Sequence, residues 1–250
     1  MKILAIGNSF SQDATHYLAK IAQADGVDLH VANLYIGGCS LLRHWENITN
    51  DAADYLLEIN GASTERYISI SQTLHMEQWD YILTQQASHD SGLEETYHPY
   101  LENMIAYIRS ECPGAQILMQ KTWAYETDSL HEGFKNYGQD QSVMYERLSS
   151  AYGNAAESVG AKLIPCADVI QALRKKKPFD YGHGGMSICR DGFHMNIIYG
   201  RYLLSAVWYR FLTGNSVSQN AYIPSTPLAP NAICDEAVLR VVRETVDECV

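Results

Sequence analysis

The chain has 250 residues, 46% of them hydrophobic, and carries a formal net charge of −11. That length and composition suit one domain with a full core and lie far from the disordered range. The acidic balance, with no long basic run and no basic–aromatic stripe, argues against nucleic acid or an anionic membrane as the main partner.

The first apolar run, Ile3 to Ile6, follows Lys2 directly. It is too short for a signal-peptide core and reads as a buried strand. No run approaches the roughly eighteen apolar residues of a membrane span, so the expected compartment is the cytoplasm. Tyr17, Leu18, Ile21 and Ala22 then share one helical face, with Gly26 placed to end the helix. A second strand is expected over Leu29 to Ile36. The stretch 42–78 reads as an insertion, with Leu56 to Ile59, the turn Asn60-Gly61 and Tyr67 to Ile70 forming a small hairpin.

A third strand, Tyr81 to Leu83, precedes an apolar stripe of Leu101, Met104, Ile105 and Ile108. The fourth, Gln116 to Met119, precedes another stripe of Met144, Leu148, Tyr152 and Ala155, closed by Gly160. The fifth is Lys162 to Ile164. A long helix is expected from about Ile197 to Leu212, ending at Gly214, and a last one from Glu236 to Val246. Near-continuous apolar strands alternating with helices predict a single three-layer α/β domain over 1–250, with a parallel sheet covered on both faces. Right-handed crossovers would gather the strand C-termini, and any site, on one edge. The six cysteines form no C-x-x-C pair and are expected as reduced thiols.

Four segments carry chemistry. Gly7-Asn8-Ser9-Phe10-Ser11 sits between the first strand and a helix, where free backbone N–H groups and the helix field favour developing negative charge. A plain helix N-cap would use the same residue types. Arg190-Asp191-Gly192-Phe193-His194 places a carboxylate three residues before a histidine, so Asp191 can fix the ring and leave Nε2 to take a proton from Ser9. An ordinary Asp-Gly turn is the simpler alternative. Ile36-Gly37-Gly38-Cys39-Ser40 lets backbone approach a ligand and point an N–H inward. Thr84-Gln85-Gln86-Ala87-Ser88 offers a carboxamide donor, though Gln85 and Gln86 point in opposite directions. His183 with Asp191 and His194 lacks a further close ligand, and no Gly-rich phosphate motif follows the first strand, so neither metal nor cofactor is expected.

Taken together, these segments resemble the SGNH, or GDSL-like, hydrolase family, in a divergent bacterial-looking branch. Gly7-Asn8-Ser9 matches its first block with Asn in place of the usual Asp, Gly38 (with Gly37) its oxyanion glycine, and Asp191 with His194 its Asp-x-x-His block. The third block departs, with Thr84 to Ser88 where Gly-x-Asn-Asp is usual, and Met195 follows the histidine where Pro is frequent. The resemblance implies a flavodoxin-like, five-stranded parallel sheet of order 2-1-3-4-5. It also implies a serine esterase with triad Ser9, His194 and Asp191, and an oxyanion site at Ser9, Gly38 and Gln85 or Gln86. The substrate would be a small-molecule or carbohydrate ester. Trp45, Tyr97, Trp123, Tyr125 and Tyr181 either cover core edges, as such rings commonly do, or stack on a sugar; with the resemblance, the second use would point to deacetylation of an acetylated carbohydrate. A non-catalytic carbohydrate-binding domain on the same fold is the alternative.

Overall fold

The computed structural model describes residues 1–225, 227–228 and 230–250. Strand β1 (Lys2–Gly7) is buried at every position but its first, so both faces of the sheet are covered at its centre. Strands β2 (His30–Tyr35), β5 (Tyr81–Thr84), β6 (Gln116–Gln120) and β7 (Lys162–Ile164) run parallel to it, directly or through a neighbour. Their C-terminal ends therefore share one edge.

The five-stranded, wholly parallel sheet expected above is corrected: the sheet has seven strands, in the order β4-β3-β2-β1-β5-β6-β7, and is mixed. The hairpin β3 (Tyr55–Ile59) and β4 (Ala62–Ile68) adds antiparallel to the free edge of β2 instead of standing apart. Backbone hydrogen bonding explains this, because an open β2 edge would leave a row of unpaired donors and acceptors. The hairpin turns at Asn60 and Gly61, both with positive φ. A side chain at Gly61 would also strike the His16 carbonyl.

The insertion further contains helix α3 (Leu41–Thr49) and the short α4 (Ile70–Leu74). Ser69 and Gln72 form a capping box at the start of α4, which ends the second hairpin strand two residues before the expected Ile70. The expected first helix is two, α1 (Ser9–Thr15) and α2 (Leu18–Ala24), broken at His16-Tyr17. The others are α5 (Tyr100–Glu111), α6 (Gln141–Val159), α7 (Cys166–Leu173), α8 (Tyr199–Thr213) and α9 (Glu236–Cys249). Gly160 and Gly214 cap α6 and α8 in the left-handed conformation. Helices α1, α2, α7, α8 and α9 pack on one another, and α3, α4, α5 and α6 form a second group. All six cysteines are free thiols. No helix among the described residues is long and apolar enough to cross a membrane.

Helix α3 is tied to the hairpin by a buried histidine. The Tyr55 hydroxyl lies 2.8 Å from His44 Nδ1, and the buried Nε2 has no partner among the described residues. Burial pushes the His44 pKa from 6.5 down to about 3, with Arg43 acting in the same direction. An unfolded chain protonates this ring below pH 6.5 while the folded one does not, so the unfolded state binds more protons and stability falls with pH between about 6.5 and 3. His44 alone should remove about 2 kcal/mol of unfolding free energy between pH 7.5 and 5. Denaturant titrations should show that slope reduced in His44→Gln; identical pH dependence in both proteins would refute the assignment.

Candidate active site

Ser9 is the first residue of α1, straight after β1. Asn8 caps the helix, its Oδ1 accepting from the Phe10 amide at 3.0 Å. Gly7 ends the strand close against α1: a Cβ there would lie 2.5 Å from Ser11 Oγ, so Ser11 would have to move.

The segment before α8 folds back on itself. Cys189 and Met195 form an antiparallel bridge, and the Arg190 amide donates to the His194 carbonyl at 2.8 Å. Within this loop Asp191 Oδ1 accepts from the amides of His194 (2.8 Å) and Phe193 (3.3 Å), which turns Oδ2 toward the ring. Asp191 Oδ2 lies 2.7 Å from His194 Nδ1, and His194 Nε2 lies 2.9 Å from Ser9 Oγ. Partial burial works against ionisation of Asp191. Hydrogen bonds from the His194 ring and amide and from the Phe193 amide outweigh it, holding the carboxyl below its ordinary value of 3.8. An ionised Asp191 requires the proton on Nδ1, leaving Nε2 to accept from the Ser9 hydroxyl.

Two further elements hold this loop. Asp13, one turn after Ser9 on α1, is fully buried and accepts from Arg201 Nε at 2.7 Å, Arg190 Nη1 at 3.1 Å and the Met195 amide at 2.9 Å. The stretch after β6 supplies the rest. Trp123 Nε1 donates to the Phe193 carbonyl at 2.7 Å, and the Glu126 amide donates to the Gly192 carbonyl at 2.8 Å. Phe10 stacks on Trp123 at 3.9 Å, and Phe193 meets His194 at 4.1 Å and His131 at 4.6 Å.

Gly37 and Gly38 lie exposed in a turn closed by the Cys39 amide on the Ile36 carbonyl at 3.2 Å, with Gly38 at φ 63°. The Ser9 and Gly38 amides have no acceptor among the described residues. The two glutamines are a correction. Gln86 is fully buried; its Oε1 accepts from the Leu41 and Ala87 amides, and its Nε2 donates to Thr96 O and Oγ1. Gln85, also buried, donates from Nε2 to Asn8 Oδ1 and accepts from Gln120. Neither carboxamide is hydrogen-bonded toward Ser9: Gln85 joins the ends of neighbouring strands, and Gln86 ties the segment after β5 to the start of α3 and to Thr96.

The aromatic candidates divide. Tyr97, Trp123 and Tyr125 have no exposed surface and cannot stack on a ligand, because their rings are enclosed in the core. Trp45 and Tyr181 are half-buried, and the Tyr181 hydroxyl donates to Asp128 at 2.6 Å. His183 is exposed, and no group of three or more His, Cys, Asp or Glu residues among those described is placed to hold a metal. A cavity of about 890 Å³ lies at the opposite sheet edge, lined by residues such as Lys2, Trp79 and Asp80. Volume therefore does not mark this site; the convergence of polar groups does.

Sequence reasoning missed Asp13. Its signal was an acid on the inner helical stripe shared by Phe10, Ala14 and Tyr17, where a buried charge demands partners.

A family model described as "Domain of unknown function (DUF4886)" matches residues 2–235. A DUF4886 family protein from Bacteroides uniformis ATCC 8492 shares 37% identity over 99% of this chain and 93% of its own, with a TM-score of 0.89. A chain from Slackia heliotrinireducens described as a candidate SGNH hydrolase shares 24% identity over 85% of this chain and 98% of its own, at TM-score 0.56. A single-residue mutant of Axe2, an acetyl-xylooligosaccharide esterase from Geobacillus Stearmophilus, shares 14% identity over 85% of this chain and 94% of its own, at TM-score 0.53. No curated protein matches. The two weaker likenesses show the fold, which is that of SGNH hydrolases.

Removing Asp13 should strand two guanidinium groups, one of them buried. Asp13→Ala is expected to lower unfolding free energy by about 3–5 kcal/mol. Urea denaturation showing a loss under about 1 kcal/mol would refute that role.

Proposed function

We propose that this chain, which belongs to the DUF4886 family, hydrolyses carboxylic esters through an acyl-enzyme on Ser9. One observation carries the reading: an unbroken hydrogen-bonded line from Asp191 through His194 to Ser9, with spacings of 2.7 and 2.9 Å. A helix cap or a surface turn has no need of that line.

In this mechanism His194 Nε2 takes the Ser9 proton as Oγ bonds to the ester carbonyl carbon, and the carbonyl π electrons move onto its oxygen. Asp191, kept ionised, stabilises the resulting imidazolium and holds its tautomer. The Ser9 and Gly38 amides, free of protein acceptors among the described residues, are the proposed donors to the oxyanion. Collapse of the tetrahedral intermediate breaks the bond to the alcohol oxygen, which leaves with the proton from His194. Water then attacks the acyl-serine, giving its proton to His194, and the second collapse breaks the bond to Ser9 Oγ, which regains that proton from His194 as the acid leaves.

For the substrate we favour an acetyl ester on a carbohydrate. The support is the shared fold with an acetyl-xylooligosaccharide esterase and the exposed setting of Gly37 and Gly38, open to a bulky alcohol. The burial of three of the five candidate stacking rings leaves Trp45 and Tyr181 as the remaining aromatic contacts. The carbohydrate-binding alternative would give the aligned Ser9–His194–Asp191 line no task.

A fluorophosphonate probe should label Ser9, and Ser9→Ala should abolish both labelling and turnover of p-nitrophenyl acetate. Asp191→Asn should lower kcat by about 10³–10⁴-fold, because the imidazole loses its enforced tautomer. Persistent turnover in Ser9→Ala would remove the acyl-enzyme reading.

A further inference from the structure

We propose that Asn8, Gln85 and Gln120 are positioning residues, forming one directional chain of carboxamides that aims the Gly38 amide at the oxyanion. This rests on the ester-hydrolysis reading above and adds to it. The chain crosses the C-terminal ends of four adjacent strands. Trp208 Nε1, on α8, donates to Gln120 Oε1 at 2.7 Å at the end of β6. Gln120 Nε2 donates to Gln85 Oε1 at 2.7 Å just past β5. Gln85 Nε2 donates to Asn8 Oδ1 at 2.8 Å just past β1. Asn8 Nδ2 then donates to the Cys39 carbonyl at 3.0 Å in the turn after β2.

The direction of every bond is set by its ends. An indole N–H can only donate, and a backbone carbonyl can only accept. The Phe10 amide, a second obligate donor, also bonds to Asn8 Oδ1 and blocks a flip of that carboxamide. All three amide side chains are buried, at 2%, 1% and 0% exposure for Asn8, Gln85 and Gln120, so reversing one would leave like groups facing each other without water.

The chain ends on the residue after Gly38. Cys39 is gripped at its amide by the Ile36 carbonyl and at its carbonyl by Asn8, and its sulfur rests 3.5 Å from His44 Nδ1. The turn bearing the free Gly38 N–H is thereby fixed to the residue that caps the Ser9 helix. An aspartate at position 8 could still accept from Phe10 and Gln85. It would have nothing to donate to Cys39 and would set a buried carboxylate against that carbonyl. Asparagine at this position, and glutamine at 85, follow from the same requirement for a donor and an acceptor on each link.

The test compares Asn8→Asp, Gln120→Met and their double variant with the wild type, using p-nitrophenyl acetate kinetics and the NMR resonances of the Gly38 and Cys39 amides. Gln120 touches neither turn, so its variant carries the test if Asn8→Asp does not fold. Each variant is expected to move both amide resonances and to lower kcat, by about tenfold or more for Asn8→Asp, with KM within about twofold, since the oxyanion donor acts on the transition state. The double variant should be no slower than the worse single one, because both act through one chain. Unchanged kcat and unmoved resonances in both single variants, with Ser9→Ala inactive, would overturn the inference and leave the hydrolase reading standing. Activity surviving in Ser9→Ala would overturn that reading instead, and the resonances would still report whether the chain holds the turn.

Discussion

A carboxylate with no exposed surface decides the geometry of this site. Asp13 binds Arg190 and the Met195 amide, which flank the Asp191–His194 loop, and Arg201 at the start of the long helix α8. Arg190 Nη1 also donates to the Met195 carbonyl, so the loop is closed upon itself by the cation that anchors it. Burying one anion beside two cations has a high desolvation cost, and that cost is offset only when every group is hydrogen-bonded. These bonds tie the loop to α1 and α8 together. Because Ser9 and Asp13 lie one turn apart on α1, the same rigid helix presents the hydroxyl and holds its partner loop.

Polar groups elsewhere under the site follow the same rule. The ends of β2, β1, β5 and β6 are joined through carboxamides, each donating to the next acceptor in line. Gln86 does comparable work on the other side, receiving the Leu41 amide at the start of α3 and gripping Thr96. Farther along α1, Gln12 and the β2 residue Asn33 share the Glu58 carboxylate on β3, which binds the added hairpin to the helix bearing Ser9. Little of this polar framework is exposed, and little of it is free to reorganise. The amides of Ser9 and Gly38, by contrast, are left without acceptors among the described residues, where the proposed reaction would put a substrate oxygen.

The aromatic residues serve the loop as well. Trp123 stacks on Phe10 and holds the Phe193 carbonyl, so the ring that sequence patterning marked for a ligand is a strut between α1 and the histidine loop. A tryptophan with its N–H bonded and both faces packed contributes most by filling space. What faces outward beside His194 is Phe193 with His131, and neither stood out in the sequence.

Local patterns in the sequence were enough to place β1, β2, β5, β6 and β7, because continuous apolar runs between helical stripes have few other uses. They also marked Ser9, Asp191 and His194, since a carboxylate three residues before a histidine fits one loop and a serine after the first strand fits one edge. The joining of hairpin to sheet was not local: whether β3 pairs with β2 depends on which edge is left open after folding. The fates of Gln85 and Gln86 were equally out of reach, since a carboxamide can donate or accept and its partners come from strands and helices far along the chain. Asp13 was visible as an acid on an apolar stripe, but only the folded chain brings Arg190 and Arg201 to it. Residue type and spacing thus determined which groups could react, whereas long-range burial, which makes an unpaired enclosed donor costly, decided which of them stayed free to do so.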